Sequence, residues 1–324
     1  MTKAIRIHQT GGPEAMTWED VTVGDPGPGQ VRVKNTAVGV NFIDVYHRTG
    51  LYPVELPSVL GMEGAGVVEA IGTDVTDLNI GQRVAYNGHP VGAYAEARLY
   101  PADRLVPLPD AVSDQQAAAM MLKGMTAHYL LRRSYEVQAG DTILIHAAAG
   151  GVGQIAVQWA KHLGATVIGT VGSDEKAEIA RSRGCDHTIL YKSENFADRV
   201  KDITGGEGVQ AVYDSIGKDT FEDSLNCLHR LGTMVSYGNA SGPVPAFEPA
   251  LLAQKGSLFF TRPILFHYIT TREELLATAE ELFEVVTADV VDIAIGQTFP
   301  LSDAAEAHRA LEARQTTGST ILLP

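Results

Sequence analysis

Three glycines, Gly150, Gly151 and Gly153, follow the apolar run TILIH and open an amphipathic segment. In such a turn a strand leads into a helix whose N-terminus offers unpaired N–H groups and a positive dipole end to a phosphate. Ala148 stands where the usual fingerprint has glycine, but a turn without a positive φ angle there accepts alanine. The same residues also suit a tight strand-to-helix connection without a ligand. The strand, turn, helix and second strand have the expected lengths, which favours a nucleotide.

The second strand, TVIGTV, indicates which nucleotide. NAD sites carry an Asp or Glu about 20 residues past the turn to bind the ribose 2′-hydroxyl, and here Gly172 occupies that place. Ser173 and Lys176 follow, and a hydroxyl with an ammonium attracts a 2′-phosphate that a carboxylate would repel. Asp174 and Glu175 also lie close by, where they suit the first turn of a helix. The pattern predicts NADPH rather than NADH.

Charge and cysteine content exclude several classes of function. The chain has 25 Lys and Arg against 39 Asp and Glu, and a net charge of −14 repels nucleic acids. Cys185 and Cys227 form no CxxC motif, so we expect neither a disulfide framework nor a thiolate metal cluster. The N-terminal segment MTKAIRIHQTGG resembles neither a secretory signal nor a membrane anchor. We therefore expect a soluble, cytoplasmic protein.

The ten histidines show no spacing typical of metal ligands. We interpret all ten as surface groups or as imidazoles that contact the residues of a site and not its ligand. They include His47, His89, His128 and His146.

Residues 3 to about 120 have the pattern of a β-rich domain. Alternating or apolar runs are separated by Gly, Pro and Asp turns. The predicted strands are KAIRIHQ, QVRVKNTAVGV, GAGVVEAIG, QRVAY and GAYAEARLY.

From about residue 124, short β-branched runs alternate with helical patterns of 10 to 15 residues, which is typical of a doubly wound parallel sheet. Each helical pattern ends in glycine, as a helix C-cap does. The predicted strands are TILIHA, TVIGTV, HTILY, VQAVYD, GTMVSYG and SLFFT. The predicted helices are GQIAVQWAKHLG, SDEKAEIARSRG, ENFADRVKDITGG and TFEDSLNCLHRLG.

The C-terminal part contains one further helix and one strand. TREELLATAEELFEVV begins with Thr271 and Glu274 in capping-box spacing. Its apolar stripe is formed by Leu275, Ala279, Leu282 and Val286. The final segment STILLP is predicted to be a strand that returns to the β-rich domain.

Several segments together resemble the NADPH:quinone oxidoreductases, the zinc-free branch of the medium-chain dehydrogenase/reductase superfamily that includes zeta-crystallin. The segments are NFIDVYHRTGLYP, LGMEGAGVVEAIG, LKGMTAHYLL, HAAAGGVGQIAVQWAK, VYDSIGKDTF, SYGNASG and ITTREEL. The resemblance extends from end to end of the chain. It implies an α/β protein with a GroES-like β-rich catalytic domain at 1–123 and a Rossmann NADPH-binding domain at 124–265. Residues 266–324 would return to the catalytic domain.

The resemblance also implies that NADPH lies in a cleft between the two domains and that the protein is a homodimer joined through the Rossmann sheets. The segment KGSLFFTRPILFHYI would then be an edge strand that pairs across the dimer axis. Without the resemblance, its aromatic residues suit a protein core equally well.

The zinc ligands of the related alcohol dehydrogenases are replaced here. Met62 occupies the place of the histidine in their GHE motif, and Asn41 or a neighbour that of the first cysteine. A thioether and a carboxamide do not make a catalytic zinc site. Without a Lewis acid, an electron-poor acceptor such as a quinone is a better substrate than an unactivated alcohol or ketone.

The family's site residues are carried over to matching positions. The segment Asn41, Phe42, Ile43, Asp44 and Val45 would lie beside the nicotinamide, with Tyr46 and Tyr52 toward the substrate. Asn41, Tyr46 and Tyr52 are the catalytic candidates, although loop packing also explains the tyrosines. No acid or base is identified, and solvent could protonate the product.

Further cofactor positions follow from the same resemblance. Lys123 remains ambiguous, since it could reach the site or cap the preceding helix. The cofactor positions are Tyr129, Gly150, Gly151, Val152, Gly172, Ser173, Lys176, Tyr191, Ser215, Tyr237, Gly238, Asn239, Ala240, Arg262, Pro263, Ile264, Leu265 and Arg314.

The expected activity is NADPH-dependent, zinc-independent reduction of quinones by hydride transfer. A reductase of α,β-unsaturated carbonyls needs the same hydride and a similar acceptor. A third alternative is an NADPH-binding protein without a catalytic role, crystallin-like or RNA-binding, although the net charge argues against RNA.

Overall fold

The structure is a computed structural model and describes residues 2–324. The chain forms two compact units. Unit 1 comprises residues 1–125, 269–287 and 293–324, and unit 2 comprises 126–268 and 288–292. The domain boundaries at 123/124 and 265/266 stay a prediction, and the segment 288–292 of unit 2 was not part of it. No helix among residues 2–324 is long and apolar enough to cross a membrane.

The strands range in length from two to eleven residues. In chain order they are β1 Thr2–Ile7, β2 Met16–Val21, β3 Gln30–Val40, β4 Ser58–Val59, β5 Glu63–Ile71, β6 Arg83–Asn87, β7 Ala97–Pro101, β8 Val106–Pro107, β9 Thr142–Ile145, β10 Thr166–Val171, β11 His187–Leu190, β12 Val209–Asp214, β13 Leu228–Ser236, β14 Phe259–Thr261, β15 Ile295–Pro300 and β16 Ser319–Leu323.

The α-helices are concentrated in unit 2 and near the C-terminus. They are α1 Phe42–Thr49, α2 Asp114–Tyr129, α3 Gly151–His162, α4 Asp174–Ser182, α5 Phe196–Ile203, α6 Phe221–Asn226, α7 Ala250–Gln254, α8 Arg272–Thr287 and α9 Ala304–Glu312.

Unit 1 is built on two sheets. The larger sheet has the order β15-β16-β3-β5-β6-β8, with β7 also paired to β3, and the smaller has the order β2-β1-β4. Alternate residues of β3 and its neighbours are buried, because one face of the sheet covers the core. The C-terminal strand β16 pairs antiparallel with β3, which confirms the predicted return of STILLP.

Unit 2 is a six-stranded sheet in the order β11-β10-β9-β12-β13-β14. All neighbouring pairs are parallel, and helices separate most consecutive strands. This is the strand order of the dinucleotide-binding Rossmann fold, so the predicted class is confirmed. The carboxyl ends of β9, β10 and β12 lie side by side at one edge, where such folds bind their ligands.

The long C-terminal helix was correctly predicted. Thr271 and Glu274 exchange hydrogen bonds of 3.0 and 3.2 Å in a capping box at the start of α8. The stripe of Leu275, Ala279 and Leu282 is buried.

Two sequence predictions of secondary structure were wrong in part. The helix predicted over TFEDSLNCLHRLG ends at Asn226, and Leu228 already pairs with Val209 in β13. The left-handed residue there is Leu231 and not Gly232, because the chain turns into the sheet before the expected glycine cap. The strand predicted over GAYAEARLY is regular only from Ala97, and the residues before it form one isolated bridge, Ala4 to Ala95.

Candidate active site

The glycine turn after β9 is shaped by close backbone approach. Ala147 takes the left-handed conformation, with φ of 53°, whereas Ala148 does not, as its residue type suggests. The Gly150 N–H donates to the Ala147 carbonyl at 2.9 Å. A Cβ atom added to Gly153 would lie 2.3 Å from that carbonyl oxygen, so only glycine allows α3 to begin this close to the turn.

The turn after β10 places the residues predicted to choose the nucleotide. Ser173 caps α4 by accepting from the Lys176 N–H at 3.4 Å. A Cβ atom on Gly172 would lie 2.9 Å from the Tyr191 hydroxyl oxygen, so Gly172 and Tyr191 are neighbours. Asp174 forms part of the acidic first turn of α4, as an ordinary helix-start residue does.

The turns after β12 and β13 also lie against each other. The Ala240 N–H donates to the Ser215 carbonyl at 3.1 Å, and the Tyr237 N–H donates to the Asp214 carbonyl at 2.8 Å. A Cβ atom on Gly238 would lie 2.5 Å from the Ser215 oxygen. The structure therefore brings together Ser215 and the segment that contains Asn239.

A third group of candidates surrounds Tyr129, at the end of α2. Its ring stacks on Tyr268 with centroids 4.7 Å apart and an angle of 9° between planes. Burial raises the pKa of Tyr129, and the nearby Tyr237 adds to this rise while the charge of Arg262 opposes it. After Arg262 and Pro263, Ile264 is exposed and Leu265 is buried.

A buried chain of polar groups ties three strand ends of unit 2 together. His146 follows β9, and its ring nitrogens lie 2.9 Å from the Thr170 hydroxyl and 2.9 Å from the Ser224 hydroxyl. Ser224 donates to the Asp214 carboxylate at 3.0 Å, and Thr220 donates to the same oxygen at 2.7 Å. The Ser224 oxygen then accepts from Nε2–H of His146, and Nδ1 accepts from Thr170. Burial lowers the pKa of His146 against the raising effect of Asp214, which matches this neutral form.

In unit 1, Asn41 lies at the end of a buried ion pair. The Asn41 Nδ2 donates to Glu63 Oε2 at 2.8 Å, and the Lys123 Nζ donates to the same oxygen at 2.8 Å. The Leu122 N–H donates to the other oxygen of Glu63 at 2.7 Å. Glu63 is fully buried, and Asn41 and Lys123 are 8% and 6% exposed. The sequence left Lys123 ambiguous, and the structure pairs it with Glu63.

Asp44 joins the start of α1 to α9. Its Oδ2 accepts from the Asn41 N–H at 2.8 Å and from the Tyr94 hydroxyl at 2.9 Å. Tyr94 also contacts Nε2 of His308, and Nδ1 of His308 accepts from Arg48. Burial raises the pKa of Asp44 to about 7 and lowers the pKa of His308 to about 3.

The predicted substrate-side tyrosines lie together on and after α1. The rings of Tyr46 and Tyr52 meet edge to face, with centroids 5.1 Å apart, and Phe42 lies 6.3 Å from Tyr46. His47 packs near Tyr52 and His89, and burial lowers its pKa to about 4.

The predicted site residues thus fall into two sets, one in each unit. Val152 lies in α3, and the other nucleotide-side positions from Tyr129 to Leu265 are all in unit 2. Ile43 and Val45 lie in α1 of unit 1. Arg314 also belongs to unit 1, just after α9, where it has a φ of 58°.

Unit 2 fits a dinucleotide. Gly153 lets α3 begin close to the Ala147 carbonyl, and no side chain caps the N-terminus of α3, which suits a pyrophosphate. Ser173 and Lys176, at the start of α4, have the donor groups that suit a 2′-phosphate. A zinc ion does not fit the corresponding residues of unit 1. Met62 is fully buried, and Asn41 turns its NH₂ group toward Glu63. Throughout residues 2–324, no three His, Cys, Asp or Glu side chains are grouped to hold a metal.

Sequence reasoning missed the groups that support these sites from behind. Glu63 and Asp214 stand at the start and the end of apolar strands, which was the available signal, whereas His146 was named only as one of several possible supporting imidazoles. Their partners come from distant helices, such as Ser224 in α6, so no local spacing marked them.

Two segments of the chain match models of known protein families. Residues 27–110 match the alcohol dehydrogenase GroES-like domain, and residues 151–296 match the zinc-binding dehydrogenase domain. A quinone oxidoreductase from Pseudomonas aeruginosa is 53% identical, with 100% of both chains covered.

Two further relatives have names or titles that state a substrate or a bound cofactor. A 2-haloacrylate reductase from Burkholderia sp. is 52% identical over 100% of this chain and 99% of that protein. The crystal structure of Escherichia coli quinone oxidoreductase complexed with NADPH has a TM-score of 0.98 and 48% identity. It covers 99% of this chain and 100% of that one.

Proposed function

We propose, from the premise that the chain belongs to the quinone oxidoreductase family of the medium-chain dehydrogenase/reductase superfamily, that it reduces quinones with NADPH and without zinc. The observation that carries this proposal is the turn after β10, where Gly172 replaces a carboxylate beside Ser173 and Lys176. The NADPH complex of the E. coli relative supports the same cofactor.

The residues of unit 2 bind and orient the cofactor. The N-terminus of α3 and the Gly150–Gly151 backbone receive the pyrophosphate, and Lys176 with Ser173 receives the 2′-phosphate. The turns that contain Ser215 and Asn239 contribute backbone groups, and Tyr191 flanks the adenine side. The bound nicotinamide supplies a hydride.

The residues of unit 1 act on the acceptor and on the nicotinamide side. Asn41 contacts the nicotinamide, and the phenols of Tyr46 and Tyr52 donate to the quinone oxygen that gains negative charge. Their rings also offer an apolar surface for the quinone. The buried position of Met62 and the NH₂ group that Asn41 directs at Glu63 support a site without zinc.

We also propose that the protein acts in the cytoplasm as a homodimer. The two copies are joined along β14, which is the last strand of its sheet. The acceptor is a small molecule, and a net charge of −14 argues against a nucleic-acid partner.

A second candidate is the reduction of activated double bonds. The 52% identical 2-haloacrylate reductase favours it, because a haloacrylate is an electron-poor alkene. The same hydride and a similar acceptor site would serve both reactions.

Steady-state rates distinguish the two candidates. We expect NADPH oxidation by 1,4-benzoquinone to have a higher kcat/KM than oxidation by 2-chloroacrylate or an alkenal, with no loss after treatment with a chelator. Fast turnover of an activated alkene beside negligible quinone turnover would replace the first candidate by the second. Loss of activity on chelation, restored by zinc, would refute zinc independence.

A further inference from the structure

The orientation of the Asn41 carboxamide is decided by Glu63. A carboxylate has no proton to donate, so the amide must direct its NH₂ group at Glu63 Oε2, which lies 2.8 Å from Nδ2. The carbonyl end of the amide therefore faces away from Glu63.

Lys123 is the cation paired with Glu63. A fully buried carboxylate needs a counter-charge close by, because burial penalises the charged form. The Lys123 ammonium lies 2.8 Å from Oε2 in a pair that is nearly inaccessible to solvent. Asp44 and Tyr94 also interact electrostatically with Glu63, and neither of them supplies a positive charge.

We propose that Lys123 is a positioning residue of the reaction, which compensates the buried charge of Glu63 and holds its Oε2 atom against Asn41, and thereby fixes the orientation of Asn41. This inference rests on the proposed function, in which Asn41 contacts the nicotinamide. It gives a role to the buried ion pair that packing alone does not require, since apolar residues of similar size often stabilise a core as well.

The charge and the orientation are separable by substitution. Glu63 accepts from the Leu122 N–H with one oxygen and from Asn41 with the other. A glutamine has only one acceptor oxygen. When methionine replaces Lys123, no ammonium competes with the Leu122 N–H for that oxygen. In the double variant the glutamine therefore turns its NH₂ group toward Asn41, and the Asn41 amide reverses to present its oxygen.

The experiment compares Lys123→Met, Glu63→Gln, the double variant and Asn41→Ala. We expect Lys123→Met to lower thermal stability, because the buried charge of Glu63 loses its partner. It should also lower kcat, because Glu63 Oε2 loses the group that holds it against Asn41. The double variant removes both charges, so stability should return to near the wild-type value. Its kcat should stay at least 10-fold low, as in Asn41→Ala, because the amide is still reversed. The Kd for NADPH should change less than 3-fold throughout, since the contacts of unit 2 are untouched.

Lys161→Met is the matched control. It removes an exposed ion pair with Asp186 in unit 2, and we expect wild-type kcat. A double variant with wild-type kcat, or an Asn41→Ala variant with wild-type kcat, would overturn the inference.

Failure of the proposed function gives a different result. If the wild type binds NADPH but reduces neither quinones nor activated alkenes, the proposed function fails. The inference is then tested by the fluorescence of bound NADPH, which reports the surroundings of the nicotinamide. Emission shared by the wild type and Lys161→Met, but shifted in the double variant and Asn41→Ala, would support it. Identical emission in all four would overturn it, and a wild type that does not bind NADPH would refute both proposals.

Discussion

At the scale of single residues, we propose that the choice of nucleotide depends on three residues after β10. Gly172 provides no carboxylate, Ser173 caps α4, and Lys176 lies in the first turn of that helix. The sequence predicted this set because the fingerprint fixes the position of the missing acid. We expect Lys176→Ala to weaken NADPH binding about 10- to 100-fold, the range of a charge-assisted phosphate contact. Binding of NADH should change less than 2-fold in the same fluorescence titration.

Lys201→Ala is the control for that substitution, since it removes an exposed lysine from α5 of the same unit. It should leave both affinities unchanged. An equal loss of NADPH and NADH affinity in Lys176→Ala would remove Lys176 from the 2′-phosphate site.

Asp44 gives a residue-scale prediction about stability. Burial raises its pKa from 3.8 to about 7, so the folded protein binds this proton more tightly than the unfolded chain. The contribution of Asp44 to stability is therefore present below pH 4 and is lost as the pH rises through 7. Asp44→Asn cannot ionise. Its free energy of unfolding relative to the wild type should rise by about 2–3 kcal/mol between pH 5 and pH 8.5, at 1.4 kcal/mol per pH unit.

Urea unfolding at the two pH values measures this difference. The lowered pKa values of His47 and His308 destabilise both proteins alike as the pH falls below about 6.5, so they cancel in the comparison. A relative stability that does not change with pH would contradict an ionisable, buried Asp44.

At the scale of elements, the strand ends of unit 2 are held by the chain of groups from Thr170 through His146 and Ser224 to Asp214. Ser224→Ala leaves the His146 Nε2–H without its acceptor in a buried place, which costs about 1–3 kcal/mol. We expect that loss in the free energy of unfolding, together with a 3- to 10-fold weaker Kd for NADPH. The Kd weakens because the turns after β9, β10 and β12 lose a shared support.

Ser236→Ala, at the end of β13, is a matched control in the same unit. The Ser236 side chain is fully buried, and among the described residues its hydroxyl has no hydrogen-bond partner. Its removal should leave stability unchanged or raise it slightly. Equal losses in Ser224→Ala and Ser236→Ala would show that volume, and not the hydrogen-bond chain, is what matters at these positions.

The elements also show how far the sequence could predict the fold. Periodicity located β3, β10 and β12 to the residue, because their apolar runs are bounded by turn residues. It failed after α6, where Leu228 is drawn into the sheet by pairing with Val209, a contact that local pattern does not contain. The glycine turn and the proposed 2′-phosphate residues could be predicted, because both lie at fixed distances along the chain in the dinucleotide fingerprint. The contacts of Glu63 with Lys123 and of His146 with Ser224 could not, since these partners are 60 and 78 residues away.

At the scale of the whole molecule, the edge of the sheet in unit 2 predicts self-association. Phe259 in β14 is 61% exposed, and β14 pairs with β13 alone among the described strands. An exposed edge strand with an apolar residue favours pairing with a second copy. Light scattering should give twice the chain mass of 34.6 kDa for the wild type and a monomer for Phe259→Lys.

Ile80→Lys is the control for the edge substitution. Ile80 is 69% exposed, but it lies in a loop of unit 1. This variant should remain dimeric. A wild type that is monomeric at micromolar concentration would contradict the proposed homodimer.

We propose that this chain uses NADPH to reduce a quinone without a metal. A single-turnover measurement tests this proposal. Chelator-treated protein with a stoichiometric amount of NADPH is mixed with 1,4-benzoquinone, and the absorbance of NADPH is followed with time. We predict loss of one equivalent of NADPH with formation of one equivalent of hydroquinone, far faster than without protein or with NADH in its place. NADPH that binds tightly but stays reduced in the presence of the quinone would contradict the claim.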